Sequence, residues 1–154
     1  MLKENTVAPA FHLSDQSGNS VSLADFTEQK IVLYFYPKDD TPGCTTQACS
    51  YRDQSDEFVK RNVKVIGISK DDLKSHQKFT SKYDLNFTLL SDPDTTVIQK
   101  YGVWKEKTLY GKTYMGVART TFIINEKGII VKIFENVDPK NDVQKVLDFL
   151  DQMQ

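Results

Sequence analysis

The two cysteines of the chain are the residues best suited to covalent chemistry, and they lie close together. Cys44 and Cys49 are five positions apart in the segment FYPKDDTPGCTTQACSYRD, residues 35–53. A thiolate is a nucleophile, and two neighbouring thiols can be joined by oxidation. The pair could therefore be a reacting pair, a structural disulfide, part of a metal site, or two inert buried side chains.

The residues before Cys44 predict that this thiol lies in the first turn of a helix. Thr41 suits the N-cap position, and Pro42 suits the first helical position, where its missing N–H has no cost. The unpaired N–H groups and the dipole at a helix N-terminus favour an anion, and a thiolate is such an anion. We therefore predict a reactive Cys44 in a partly exposed, electropositive position.

The spacing of the cysteines argues against a permanent disulfide. Residues i and i+5 of a helix have Cα atoms about 8.6 Å apart. A disulfide tolerates a Cα separation of no more than about 7 Å. Bonding Cys44 to Cys49 would therefore require local unwinding of the helix, which favours a disulfide that forms only after Cys44 has reacted.

A metal site is the weaker alternative for these thiols. A structural zinc site needs about four ligands, and only His12 and His76 could join the cysteines. We predict His12 in a strand, His76 on a solvated helix face in KSHQK, and Asp39 in a solvated loop. The C-x₄-C spacing also departs from the C-x-x-C of dithiol-exchange enzymes. No metal and no cofactor are expected.

Composition and charge limit the class of protein. The 154 residues carry 20 basic and 21 acidic side chains, a net charge of −1, which argues against nucleic-acid binding. The start of the chain lacks the basic and apolar run of a secretory signal, and no apolar stretch approaches membrane-spanning length. We therefore expect a cytoplasmic protein without a membrane role. Two cysteines in that compartment are more often redox-active than structural.

The hydrophobic pattern predicts one α/β domain over residues 1–154. Strands are expected near 11–13 and 21–23, at 30–36 and 63–69, and as a hairpin around the turn at 125–128. Helices are expected from Pro42 to about Lys60, near 71–83 and 94–101, and in the amphipathic tail. Alternating strands and helices predict a mixed sheet with helices on both faces.

The segment around Cys44 resembles the peroxiredoxin active site. Pro37, Thr41 and Cys44 in PKDDTPGC match the Pro-x₃-Thr-x₂-Cys pattern of that family. TPGCTTQAC is similar to the bacterioferritin-comigratory, or peroxiredoxin Q, subfamily, and the resemblance continues in FTLLSDPD, YGVWKEK and YGKTYMGVARTTFIIN. The resemblance covers nearly the whole chain, and it implies a thioredoxin-like fold with a central mixed sheet and helices on both faces.

The resemblance also implies a role for each matching residue. Cys44 would be the peroxidatic cysteine, which attacks the peroxide and becomes a sulfenic acid. Thr41 would orient the peroxide, Arg119 would stabilise the thiolate and polarise the peroxide oxygens, and Pro37 would shield Cys44 from water. Cys49 would be the resolving cysteine, which condenses with the sulfenic acid to an intramolecular disulfide. The implied substrates are hydrogen peroxide and organic hydroperoxides.

The resemblance further implies a thioredoxin-like reductant as partner, and we expect a monomer. The family often carries Glu where Gln47 stands, and Gln can hydrogen-bond but brings no charge. Two other functions stay open from the residues alone. One is a redox sensor whose disulfide changes a partner-facing surface, and the other is an inert interaction domain with unreactive thiols.

Overall fold

The computed structural model describes residues 2–153. Within this range it contains ten strands and five α-helices. The strands are β1 (Thr6–Val7), β2 (His12–Asp15), β3 (Ser20–Ser22), β4 (Lys30–Phe35), β5 (Val63–Ser69), β6 (Thr88–Ser91), β7 (Trp104–Leu109), β8 (Lys112–Val117), β9 (Thr120–Ile124) and β10 (Ile129–Phe134). The helices are α1 (Pro42–Asp53), α2 (Ser55–Lys60), α3 (Leu73–Tyr83), α4 (Thr96–Lys100) and α5 (Asp142–Gln152), and a short 3₁₀ helix covers Leu23–Phe26.

Eight strands form one mixed sheet in the order β1-β10-β9-β4-β5-β6-β2-β3. Strand β4 lies near its centre, parallel to β5 and antiparallel to β9. The chain leaves β4 just before α1 begins, and Thr120 at the start of β9 pairs with Phe35 at the end of β4. This pairing brings the residue before β9, Arg119, to the same edge of the sheet as α1.

The side chains of β4 alternate between two hydrophobic clusters, as a central strand covered on both faces requires. Val32 and Tyr34 point into the cluster that α1, α2, α3 and α5 cover. Leu33 and Phe35 point into the opposite cluster, to which α4 contributes. The predicted α/β architecture with helices on both faces of a mixed sheet is confirmed.

Most predicted elements match the structure, with local differences. Strand β5 has the predicted bounds, whereas the helix predicted from Pro42 to Lys60 is divided at Gln54 into α1 and α2, and α3 begins at Leu73. The hairpin of β7 and β8 was not predicted, and it forms a separate two-stranded sheet. None of the helices within residues 2–153 is long and apolar enough to cross a membrane.

Candidate active site

The start of α1 has the predicted geometry, with one difference at its cap. Thr41 is the N-cap, with extended backbone angles of φ −101° and ψ 157°, and Pro42 is the first helical residue. The Thr41 hydroxyl does not cap the helix, because it donates to the Lys38 carbonyl oxygen at 2.9 Å. This hydrogen bond closes the loop of residues 37–41, here called the active-site loop, immediately before α1 begins.

Cys44 lies in the first turn of α1 but is buried, with 1% of its surface exposed. The sequence predicted a partly exposed position, and that part of the prediction is wrong. Burial follows from its neighbours, because Cys44 belongs to the hydrophobic cluster of Tyr34, Ala48 and Tyr51. Any reactant must therefore approach a sulfur atom that is almost completely covered.

Arg119 makes the polar contact to the Cys44 sulfur. Its Nη2 donates to Cys44 Sγ at 3.5 Å, and its Nη1 donates to Gln47 Oε1 at 2.8 Å. A Cβ atom at Gly43 would lie 3.1 Å from Arg119 Nη2, so glycine leaves room for the guanidinium beside the helix N-terminus. The structure thus brings together Cys44 and Arg119, which are 75 residues apart.

Gln47 connects this pair to a buried carboxylate that the sequence analysis did not identify. Gln47 Nε2 donates to Asp142 Oδ2 at 2.9 Å, and the same oxygen accepts hydrogen bonds from Tyr51 at 2.6 Å and Thr121 at 3.1 Å. Burial raises the pKa of Asp142, and these three donors oppose that shift only in part. The nearest signal in the sequence was Asp142 at the start of the tail helix, which says nothing about a contact with α1.

Cys49 is half-buried, and it lies further along the same intact helix as Cys44. Both thiols are free, as the spacing argument requires of an unbroken helix. Arg52, three residues beyond Cys49 in α1, donates to Asp53, and this hydrogen bond raises the pKa of Arg52. Arg52 also donates to the Tyr83 carbonyl oxygen at 2.6 Å, which joins the end of α1 to α3.

His76 and Asp39 are buried, so their predicted solvated positions are wrong. His76 Nδ1 lies 2.6 Å from Asp39 Oδ2, and Nε2 lies 3.0 Å from the Leu90 carbonyl oxygen. A carbonyl only accepts, and the Asp39 carboxylate already accepts from Tyr36 at 2.6 Å and Ser75 at 2.8 Å. Both nitrogens of His76 must then donate, which makes the ring a cation.

The His76–Asp39 pair fixes the active-site loop to α3. Burial lowers the pKa of His76, but the hydrogen bond and the charge of Asp39 outweigh it and raise the pKa above its usual 6.5. Asp40 adds exposed contacts with Lys82 and Tyr83 of the same helix. Asp39, Asp71 and His76 have ligand atoms within 4.8 Å of one another, and both ring nitrogens of His76 are already paired with protein oxygens.

The remaining residues predicted for the site flank Cys44 or lie outside this cluster. Pro37 is half-buried between the end of β4 and the active-site loop. His12 is exposed in β2 and contacts Ser22, so it is not part of the site. Lys107 of β7 is half-buried, and burial, followed by the charge of Arg119, lowers its pKa while Cys44 opposes that shift.

Comparisons with known proteins agree with this geometry. Residues 5–133 match the AhpC/TSA family. The chain is 49% identical to a putative peroxiredoxin bcp of Coxiella burnetii, over 91% of this chain and 93% of that protein. It is 47% identical to peroxiredoxin Bcp of Escherichia coli K12, over 97% of this chain and 96% of that protein.

Solved structures give the same result. Peroxiredoxin Q of Xanthomonas campestris superposes with a TM-score of 0.89 at 36% identity, over 93% of this chain and 90% of that chain. BcpB of Mycobacterium tuberculosis superposes with a TM-score of 0.89 at 32% identity, over 100% of this chain and 99% of that chain. The resemblance and the thioredoxin-like fold predicted from the sequence are confirmed. The chain therefore belongs to the AhpC/TSA family and is a peroxiredoxin, a thiol-dependent peroxidase.

Proposed function

We propose that Cys44 is the peroxidatic cysteine and Cys49 the resolving cysteine of this peroxidase. The observation that carries the assignment is the contact of Arg119 Nη2 with Cys44 Sγ, 3.5 Å apart, in the first turn of α1. A permanent cation and the helix N-terminus both favour a thiolate at that sulfur. Cys49 has neither the helix N-terminus nor the Arg119 contact.

In the first step the Cys44 thiolate attacks one oxygen of the peroxide. An S–O bond forms, the O–O bond breaks, and the departing oxygen takes a proton and leaves as water or an alcohol. Arg119 stabilises the negative charge on that oxygen. We assign peroxide orientation to the Thr41 hydroxyl, which must then leave the Lys38 carbonyl, and shielding from water to Pro37.

In the second step the Cys49 sulfur attacks the Cys44 sulfenic acid, the S–O bond breaks and water leaves. The disulfide prevents further oxidation of Cys44 to an irreversible sulfinic acid. Since both residues lie on α1, its N-terminal half must unwind for the sulfur atoms to meet. A dithiol reductant then receives the disulfide and returns both cysteines to thiols.

The finer properties of this cycle are also proposals. We propose thioredoxin or a similar dithiol protein as the reductant, and hydrogen peroxide and organic hydroperoxides as substrates. A trapped-intermediate structure addresses alkyl peroxide reduction by the Xanthomonas campestris relative. We further propose a single domain over residues 1–154 that works as a monomer, because an intramolecular disulfide needs no second chain. A reducing cytoplasm suits thiols that must be regenerated in every cycle.

The test is a turnover assay with thioredoxin, thioredoxin reductase and NADPH. The proposal predicts that each added peroxide is reduced and that NADPH is consumed in equal amount over many cycles. Oxidation of one equivalent followed by arrest, with thioredoxin unable to reduce the product, would contradict the proposed reductant. Light scattering of the reduced and oxidised protein checks the monomer.

A further inference from the structure

We propose that Asp142 is a positioning residue for the peroxide reaction, because it orients the Gln47 amide that holds Arg119 against Cys44. The proposal rests on the roles given above to Cys44 and Arg119. It concerns a carboxylate that contacts neither of them and is 95 residues from Gln47 in the chain.

The Gln47 amide has only one productive orientation. A guanidinium donates hydrogen bonds and cannot accept them, so the Gln47 oxygen must face Arg119 Nη1, at 2.8 Å. The Gln47 nitrogen then faces Asp142 Oδ2, at 2.9 Å, and needs an acceptor there. A turned amide would present its nitrogen to Arg119, with two donors facing each other.

Asp142 is the group that prevents the Gln47 amide from turning. Gln47 and Asp142 are both buried, with 0% and 1% of their surfaces exposed, so water does not substitute for the carboxylate. A turned amide would place the Gln47 oxygen against the carboxylate oxygen, which is repulsive. Asp142 therefore selects the orientation in which Arg119 is held from one side by Gln47 and reaches Cys44 from the other.

The position of the negative charge near Arg119 also depends on Asp142. A Glu at position 47 would contact Arg119 with its own charge, whereas here the negative charge lies one hydrogen bond further away, on Asp142. The Asp142 carboxylate is buried, and its Oδ1 has no hydrogen-bond partner among the described residues. Its charge is therefore balanced mainly through the donors on Oδ2. Of these donors, Gln47 is the one that also contacts a cation, Arg119.

The experiment measures the rate of the first oxidation by hydrogen peroxide in stopped flow, in single turnover. Asp142→Asn keeps the shape but removes the charge and lets the amide at position 47 turn. We expect a loss of about tenfold, the rate equivalent of one weakened charge-assisted hydrogen bond. A rate within about twofold of the wild type would overturn the proposal.

The matched control is Tyr51→Phe, which removes the 2.6 Å hydrogen bond to the same Asp142 oxygen but leaves Gln47 in place. It should lower the stability to urea but slow the first oxidation less than Asp142→Asn does, because the carboxylate that accepts from Gln47 remains. If Asp142 served only to stabilise the fold, the two variants would lose rate in proportion to their loss of stability. That proportionality would also overturn the proposal.

Rescue gives the sharpest result. Gln47→Glu alone places two carboxylates within hydrogen-bond distance and should be slow, whereas Gln47→Glu with Asp142→Asn puts the charge directly on Arg119 and should recover most of the lost rate. A double variant no faster than Asp142→Asn would contradict the proposed role of Asp142.

Arg119→Met distinguishes a failure of the proposed function from a failure of this inference. If Arg119→Met is as fast as the wild type, the proposed role of Arg119 is wrong and the role of Asp142 is wrong with it. If Arg119→Met is slow while Asp142→Asn is as fast as the wild type, only the proposed role of Asp142 is wrong.

Discussion

The two cysteines lie on one helix, yet they differ in burial, in position along the helix and in contact with Arg119. Cys44 is buried in the first helical turn, contacts the Arg119 guanidinium, and lies beside a loop that α3 holds in place. Cys49 is half-buried and lies toward the end of α1 that is joined to α3 through Arg52. The difference supports the proposed division of work, in which Cys44 reacts with the peroxide and Cys49 with the resulting sulfenic acid.

The comparison also explains why the same helix must be both rigid and able to open. The rigid side is the Cys44 pocket, where a displacement of Arg119 by about 1 Å would break its 3.5 Å contact with Cys44 Sγ. The opening must take Cys44 and Cys49 from a separation of about 8.6 Å in a helix to less than about 7 Å. It therefore has to break helical hydrogen bonds between Cys44 and Cys49, the stretch that contains Gln47 and its hydrogen bond to Asp142.

The largest expected effect comes from removing the thiol that meets the peroxide. Cys44→Ser should lower the rate of peroxide reduction by more than about 10⁴-fold, because a hydroxyl is a far weaker nucleophile at neutral pH. The rate is measured by loss of peroxide with excess dithiol reductant. A Cys44→Ser protein that still consumes peroxide at a comparable rate would reverse the assignment of the two thiols.

The next effect comes from removing the cation that distinguishes the two surroundings. Arg119→Met should slow the first oxidation by about 10²-fold, the usual cost of losing a donor to a developing oxyanion. Stopped-flow oxidation by hydrogen peroxide gives this rate. Arg119→Lys is the matched control, and it should recover part of the loss, because it keeps the charge but lacks the fork that also holds Gln47.

A smaller effect on the first step is expected from the second thiol. Cys49→Ser should be oxidised once at the wild-type rate, because Cys49 does not contact the peroxide-reacting sulfur in the intact helix. It should then accumulate Cys44 sulfenic acid, which dimedone labelling and mass spectrometry detect, and should lose recycling by thioredoxin. Full turnover of Cys49→Ser with thioredoxin would remove Cys49 from the cycle.

The smallest effect concerns the loop on the Cys44 side, and it depends on pH. The pKa of His76 is raised by Asp39, so the ion pair stabilises the fold fully below about pH 6.5 and loses that contribution as the pH rises through the raised value. His76→Gln removes the charge. The difference in free energy of unfolding between wild type and His76→Gln, from urea titrations, should therefore be larger at low than at high pH. An equal difference throughout would argue against a charged His76.

The sequence predicts the part of the molecule that depends on local pattern. Strand β4 is a nearly continuous apolar run, β5 is one interrupted by Lys64, and Thr41 and Pro42 mark the start of α1, so these elements and the place of Cys44 follow from local pattern and capping. The hairpin of β7 and β8 does not follow, because its strands are mostly exposed and only Gly116 and Val117 at the end of β8 are buried.

The rest of the site depends on contacts between distant segments, which a pattern cannot indicate. His76 lies among polar residues in KSHQK and was therefore expected in solvent, but Asp39 and the Leu90 carbonyl bury it by pairing both ring nitrogens. Asp142 is 95 residues from Gln47, and the pairing of β4 with β9 is what brings the intervening Arg119 to α1.

The most direct test of the division of work is the intact mass of the reduced protein after one equivalent of hydrogen peroxide, with thiol alkylation before analysis. We expect a monomeric mass lower by two hydrogens and no alkylation of either cysteine. This result would identify a Cys44–Cys49 disulfide, which the helix must open to form. A mass higher by one oxygen, with Cys49 still alkylated, would contradict resolution by Cys49. An unchanged mass with both thiols alkylated would contradict a peroxide-reactive Cys44.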